Sequence, residues 1–239
     1  MSEPGQVWRN VFLGIDAIDG LTASQVPNKL FRLADIAFVP DYEGAARERL
    51  LELSAQKVTV KALSDQPDFL GRTSVRIDSE NVGDWRAVLL KDGLAMLLPE
   101  TGQNVDDLIR AEDGAIKGRT GMWSARDPDT AYYGVADRED SEATPTARDA
   151  IGRFAVIDGE IRSIEHQEWR SYLNFGAHWR EDLTIALDAT IRDAFAQDED
   201  FQSTMNDWIG QKVRVRGMVE SRGGPYIAVQ EPLWLCLSR

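Results

Sequence analysis

Apolar positions along the chain fall into short runs separated by polar turns, and their period shifts between two and about 3.6 residues. Val11-Phe12-Leu13-Gly14-Ile15 reads as a strand running into a turn at Asp19-Gly20, and Leu30 to Ile36 is a second apolar run. From Glu43 to Gln56, Ala46, Leu50, Leu51 and Leu53 lie on or near one face of a predicted helix. Lys57 to Leu63 alternates Val58 and Val60 with polar neighbours, the pattern of a half-buried strand. Arg72 to Ile77 predicts another short strand after the Leu70-Gly71 turn. Asp84 to Lys91 predicts a short helix with Gly93 as its C-terminal cap, and Val105 to Lys117 a third helix.

The pattern lapses between Asp127 and Asp149. That stretch is rich in Asp, Glu, Thr, Ala and Pro and has no apolar period, which predicts a solvated linker or a wrapped surface segment. The domain boundary is therefore expected there: a first domain over 1–124, an acidic linker over 125–150 and a second domain over 151–239. Beyond it, strands are predicted at Arg153–Ile157, Arg170–Phe175 and Leu183–Leu187, a helix at Ala189–Ala196, and strands at Lys212–Val219 and Tyr226–Val229 around a Gly223-Gly224 turn. Three strands, a helix and two strands is the order of a five-stranded OB barrel. The fold class expected overall is mainly β with helices.

Composition narrows the picture. With 239 residues and 43% hydrophobic side chains, the chain has material for one large core or two small ones. One cysteine excludes a disulfide framework, and two histidines make a histidine-built metal site a poor expectation. His166, His178 and Cys236 read as a loop histidine, a surface histidine and a buried thiol. No apolar run reaches the ~20 residues that cross a bilayer, so no membrane partner is expected. The first residues have neither the basic start nor the apolar segment of a secretory signal, and the expected location is cytoplasmic, with a removed export signal left open. The net charge of −13 has the wrong sign for a polyanion binder. Residues 1–124 carry 14 basic and 19 acidic side chains, 125–150 carry 3 and 7, and 151–239 carry 10 and 14, so no segment is basic.

Five short motifs then occur in order: Asp19-Gly20-x-Thr22, Phe31-Arg32-Leu33-Ala34-x-Ile36, Asp68-x-x-Gly71-Arg72, Gly93-Leu94-Ala95 and Gly121-x-Trp123. Together they resemble the staphylococcal nuclease-like (thermonuclease) domains over roughly residues 9–124. The second domain resembles the OB-type extension found after some bacterial thermonuclease-like domains, through Tyr172-Leu173-Asn174-Phe175-Gly176, the Asp182–Ile185 strand, Val213-Arg214-Val215-Arg216-Gly217 and Gly224-Pro225-Tyr226-Ile227. The resemblance implies an OB barrel with about three helices and calcium-dependent phosphodiester hydrolysis. In that chemistry carboxylates hold the metal, a glutamate helps activate water and two arginines neutralise the developing charge. The arginines are present as Arg32 and Arg72. The two metal aspartates fall on Leu21 and Ala37 and the glutamate on Pro40, while a tyrosine common before the Gly-Arg pair is Leu70 here. Leu21 and Ala37 offer no oxygen to a hard cation, and Pro40 cannot orient water.

The resemblance so amended implies a pseudonuclease, with no catalytic residue, no metal and no cofactor expected, working as a binding or interaction module with protein partners. A register slip would bring in Asp35 or Asp41, with Asp19 as a lone oxygen, and would restore a calcium-dependent phosphodiesterase. Arg32 and Arg72 are either structural, paired with acids such as Asp35 or Asp68, or an anion site in their own right. A third reading places single-stranded nucleic acid on the second domain. There Lys212, Arg214 and Arg216 share one face of a strand, and Tyr172 and Asn174 share another; the net charge disfavours it. Trp169 and Trp179 bracket the Tyr-Leu-Asn-Phe strand as candidate contact residues, Trp123 and Trp208 are expected in the core, and Asp198-Glu199-Asp200 is expected in a solvated loop.

Overall fold

In the first unit a single bent strand organises the sheet. Val7–Val11 (β1) and Leu13–Ala17 (β2) are separated only by Phe12, and the chain turns there because Asn10 takes a left-handed conformation (φ 57°) at an irregularity in the β1 register. There follow Gly20–Ala23 (β3), Leu30–Leu33 (β4), the two-residue Ile36–Ala37 (β5), a helix Glu43–Ser54 (α1), Val58–Ala62 (β6) and Arg72–Ser79 (β7). Gly83–Asp84 (β8), a helix Trp85–Lys91 (α2), Met96–Leu97 (β9) and a helix Asp106–Gly118 (α3) complete the unit. The computed structural model describes residues 5–127, 129–136, 144–176, 182–196 and 201–237. It divides into two compact units, Met1–Ser124 and Ala125–Arg239.

The strand order in the first unit is β1-β6-β7-β4-β3-β2, with β8 on β7. Because β1 and β2 are halves of one bent strand, this order curls back on itself: the first half pairs antiparallel with β6 and the second with β3, while β4 and β7 run parallel. The helices serve the core. Ala46, Leu50 and Leu53 bury one stripe of α1, while Leu51 stays outside, and Asp84 caps α2 by accepting the Arg86 amide at 3.0 Å. Beyond α2, Gly93 sits at φ 64°, where a side chain is strained and where a Cβ would stand 2.2 Å from the Thr120 carbonyl oxygen. Leu21, Phe31, Leu50, Val60, Val75 and Trp85 are wholly buried at the centre.

The second unit repeats this connectivity. Its strands are Tyr133–Val135 (β10), Phe154–Glu160 (β11), Ser163–His166 (β12), Arg170–Asn174 (β13) and Thr184–Asp188 (β14). Helices Ala189–Ala196 (α4) and Phe201–Asn206 (α5) follow, then Lys212–Met218 (β15), Glu220–Ser221 (β16), Pro225–Ala228 (β17) and Leu235–Leu237 (β18). β11 pairs antiparallel with β15, β12-β13-β14 form a meander, and β14 runs parallel to β17. Helices α4 and α5 lie between β14 and β15, as α1 of the first unit lies between β4 and β6. The chain is thus mixed α+β and mostly strand, with curled, OB-like sheets.

One expectation needs correcting. The described part of 125–150 is no solvated linker: Tyr133–Val135 extends the sheet by pairing parallel with Val156–Asp158, and Ala131, Tyr132, Ala147 and Ala150 are buried. Four apolar anchors spaced irregularly escape a search for period, yet suffice to hold a polar segment onto a sheet edge. His178, Trp179 and Asp198–Asp200 lie outside the described residues. Among the described residues no helix is long and apolar enough to cross a membrane.

Candidate functional site

In the first unit, a cleft of about 700 Å³ opens beside the turn between β2 and β3, lined among others by Asp16, Asp19, Arg32, Ala37, Arg47 and Arg72, with Glu43 at the start of α1. The parallel pairing of β4 with β7 brings Arg32 and Arg72 together: Arg32 stands opposite Ser74, two pairs along from the Leu30–Arg72 end. Asp68 then fixes both. Its carboxylate accepts the Leu70 and Arg72 amides at 2.9 Å and Arg72 Nε at 2.8 Å, and lies 3.5 Å from Arg32 Nε. Arg32 Nη1 reaches Glu100 at 2.6 Å, and Arg72 Nη1 also pairs with Asp19. Burial pulls the Asp68 carboxyl upward, but hydrogen bonds from Arg72 and the Leu70 amide outweigh it and hold the group below the ordinary value of 3.8.

The positions that the resemblance assigns to the metal and the attacking water do not converge on the cleft as oxygen donors. Leu21 is fully buried, paired across the sheet with Phe31 and turned into the core. Ala37 lines the cleft without an oxygen, and Pro40 is exposed at the start of a 3-10 turn, Pro40–Tyr42. Asp41 lies in that turn, outside the cleft's lining. Asp35 is also unavailable: it is wholly buried at φ 59°, accepts Arg86 Nη1 at 2.8 Å, and takes the Glu100 and Thr101 amides at 3.0 Å and the Thr101 hydroxyl at 2.9 Å. It is a structural clamp on the Glu100–Thr101 turn. Of the acids that do line the cleft, Asp19 is tied to Arg72, and Asp16 accepts the Thr22 hydroxyl at 3.0 Å. Among the described residues no group of three His, Cys, Asp or Glu side chains is placed to hold a metal ion. At the positions that the resemblance assigns to the metal aspartates stand a core leucine and a methyl group, neither with an oxygen for calcium, while Asp16 and Asp19 in the lining hold Thr22 and Arg72. Nor is the cleft cationic, since Asp16, Asp19, Glu43, Asp68 and Glu100 surround three arginines. Asp16, Glu43 and Arg47 escaped the sequence reading because they belong to no quoted motif; the fold alone gathers them.

In the second unit the basic stripe and the aromatic strand part company. Lys212, Arg214 and Arg216 lie on β15 in the β10-β11-β15-β18 sheet, whereas Tyr172 and Asn174 lie on β13 in the β12-β13-β14-β17-β16 sheet. Only Lys212 of the three is exposed. Asp158, directly across from Arg214, grips its guanidinium with two contacts of 2.7 Å and also accepts the Tyr133 hydroxyl at 3.0 Å, and Arg216 is 2% exposed. Alternation correctly puts the three on one side of a strand, but coverage of that side is a tertiary matter.

Tyr172 and Asn174 instead line a second cleft, of about 470 Å³, with Glu165, Thr184, Tyr226 and Arg222. The register explains it. Ser163, Asn174, Thr184 and Tyr226 are successive cross-strand neighbours, and Glu165, Tyr172 and Ala186 form the next row. Thr184 Oγ1 donates to Asn174 Oδ1 at 3.2 Å and Asn174 Nδ2 to Ser163 Oγ at 3.4 Å. The Arg222 guanidinium stacks 4.5 Å from the Tyr226 ring centre while its Nε holds Glu220 at 2.7 Å. Tyr226 stood in a quoted motif, but its neighbours depend on a parallel strand pairing that the sequence does not display. Trp123 and Trp208 are core residues, whereas Trp169 is 71% exposed. A scan against protein-family models gives no match, and a search of the curated proteins gives none either.

Proposed function

We propose that the chain is built from a staphylococcal nuclease-like barrel that has lost its chemistry and a second OB-type barrel, and that it acts as a non-catalytic binding module. Supporting the family reading are the five ordered motifs of the sequence and a bent first strand whose halves pair with different neighbours. The observation that carries the loss of catalysis is Leu21. A metal ligand must present oxygen to the cleft, and this side chain is instead packed against Phe31 with no exposure. Arg32 and Arg72 then serve structure. Each is neutralised by a neighbouring carboxylate, so their geometry survives for the stability of the turn at Asp68–Arg72.

Calcium binding tests this directly. A ligand at a hundredfold excess over its dissociation constant adds about 2.7 kcal/mol to stability, which raises a melting temperature by several degrees. The expected result is the same melting curve in millimolar calcium and in chelator. A calcium-dependent rise that disappears in Asp19→Asn would mean that the cleft binds the ion after all.

A further inference from the structure

A groove of about 640 Å³ opens on the first unit, lined by Phe12, Gly14, Thr22, Pro27, Lys29 and Leu30 among others. Its place follows from alternation. Leu13, Ile15, Leu21, Ala23 and Phe31 are buried in the core, so Gly14, Thr22 and Leu30 stand on the opposite side of β2, β3 and β4. Gly14 is paired with Thr22, and a Cβ on it would lie 2.6 Å from Thr22 Oγ1. The missing side chain leaves the sheet low there, while Phe12 and Leu30 remain 46% and 39% exposed. The loop between β3 and β4 is fixed locally. The Val26 amide donates to the Ala23 carbonyl at 3.0 Å, and Gln25 Oε1 accepts the Phe12 amide at 3.3 Å. A preformed apolar groove with exposed large side chains marks a contact surface. Its charge is opposite to that of the chain. Of 239 residues 40 are acidic, yet among the described residues the lining holds no carboxylate and includes Lys29. Lys29 Nζ lies 4.9 Å from the Trp8 ring centre and donates to Gln6 Oε1 at 3.0 Å, and Lys57 Nζ lies 5.9 Å from the ring centre of Phe12. Among the described residues neither ammonium is paired with a carboxylate. Asp16 meets the lining through the Thr22 hydroxyl, at 3.0 Å.

We propose that this groove docks a short acidic peptide segment of a partner protein, with a large apolar side chain against Phe12 and Leu30 and flanking carboxylates set against Lys29 and Lys57. Burial of the apolar anchor supplies the affinity, and the two cations select the sign of what flanks it. A nucleic-acid strand needs a longer track of cations than two lysines beside an apolar floor provide. The proposal gives a partner class to the binding role argued above, and rests on that reading for its purpose but not for its site. Calcium in the cleft of Arg32 and Arg72 would leave it intact, and failure of peptide binding would leave the loss of the metal site intact.

Selection of a random peptide library displayed on phage against the full chain tests the assignment, each enriched peptide then being synthesised and titrated by fluorescence anisotropy. The expected peptides combine Asp or Glu with Phe, Leu or Trp, and bind severalfold more weakly at high salt than at low salt. Their affinity should fall by about tenfold or more in Lys29→Glu/Lys57→Glu. Leu30→Ser should weaken them as well, and both variants should keep the wild-type melting temperature, since these side chains are exposed. The proposal is overturned if no peptide is enriched, if the enriched peptides are basic or uncharged, or if their affinity survives both variants. It is also overturned if the lysine variant instead abolishes binding of an oligo-dT, or a self-association of the chain seen by sedimentation, because the groove would then serve a nucleic acid or a second copy.

Discussion

Asp68 does more for the first unit than either arginine it holds. One carboxylate accepts two backbone amides and one guanidinium, so it sets both the Leu70-Gly71 turn and the direction of Arg72. Its folded-state value lies below the ordinary 3.8, so the stabilisation is fully present above that pH and is lost as pH falls through the lower folded value. Thermal melts from neutral pH down through the carboxylate range should show the wild-type first unit losing stability on acidification, and Asp68→Asn should start less stable at neutral pH and show a flatter acid limb. An unchanged acid limb would mean other carboxylates dominate. The motif Asp68-x-x-Gly71-Arg72 made the turn visible in the sequence. Nothing in the sequence showed that Glu100 would reach Arg32 across 68 positions, or that Asp35 would face inward onto Arg86. Such partners are set by where the chain returns.

At the scale of elements, the strands and helices follow from local pattern, while their neighbours do not. Val58 and Val60 announce β6 and the Leu50 stripe announces α1, because burial on one face imposes a period. The parallel β4–β7 and β14–β17 pairs leave no such mark, and they are what assemble both clefts. The segment after residue 124 shows the same limit: β10 is only three residues long and is secured by side chains as much as by its ladder. The Tyr133 hydroxyl donates to Asp158, which in turn grips Arg214, so one acid ties β10, β11 and β15. Burial, followed by the nearby Asp158 charge, pushes the Tyr133 phenol upward, and it remains a donor at neutral pH. Tyr133→Phe should therefore cost about 1 kcal/mol in urea unfolding of the full chain, with an unchanged m-value. A neutral substitution would show that the ladder alone holds β10.

Over the whole molecule, two units of like connectivity carry different surfaces. The first gathers three arginines and encloses them with carboxylates; the second presents Tyr172, hydroxyls and an amide on a sheet face, with Tyr226 buried beneath Arg222. An overall charge of −13 suits neither a phosphate track nor a nucleic-acid groove. Hydrolysis of labelled single-stranded DNA and RNA, at high protein concentration and low salt, in calcium and in chelator, is the most direct test of a nuclease barrel without its chemistry. The double variant Arg32→Ala/Arg72→Ala serves as the contamination control. The account predicts no cleavage above that control in either condition. Cleavage that requires calcium and disappears in the double variant would contradict it, and would mean that Asp16, Asp19 or Glu43 has taken over the role that Leu21 and Ala37 cannot fill.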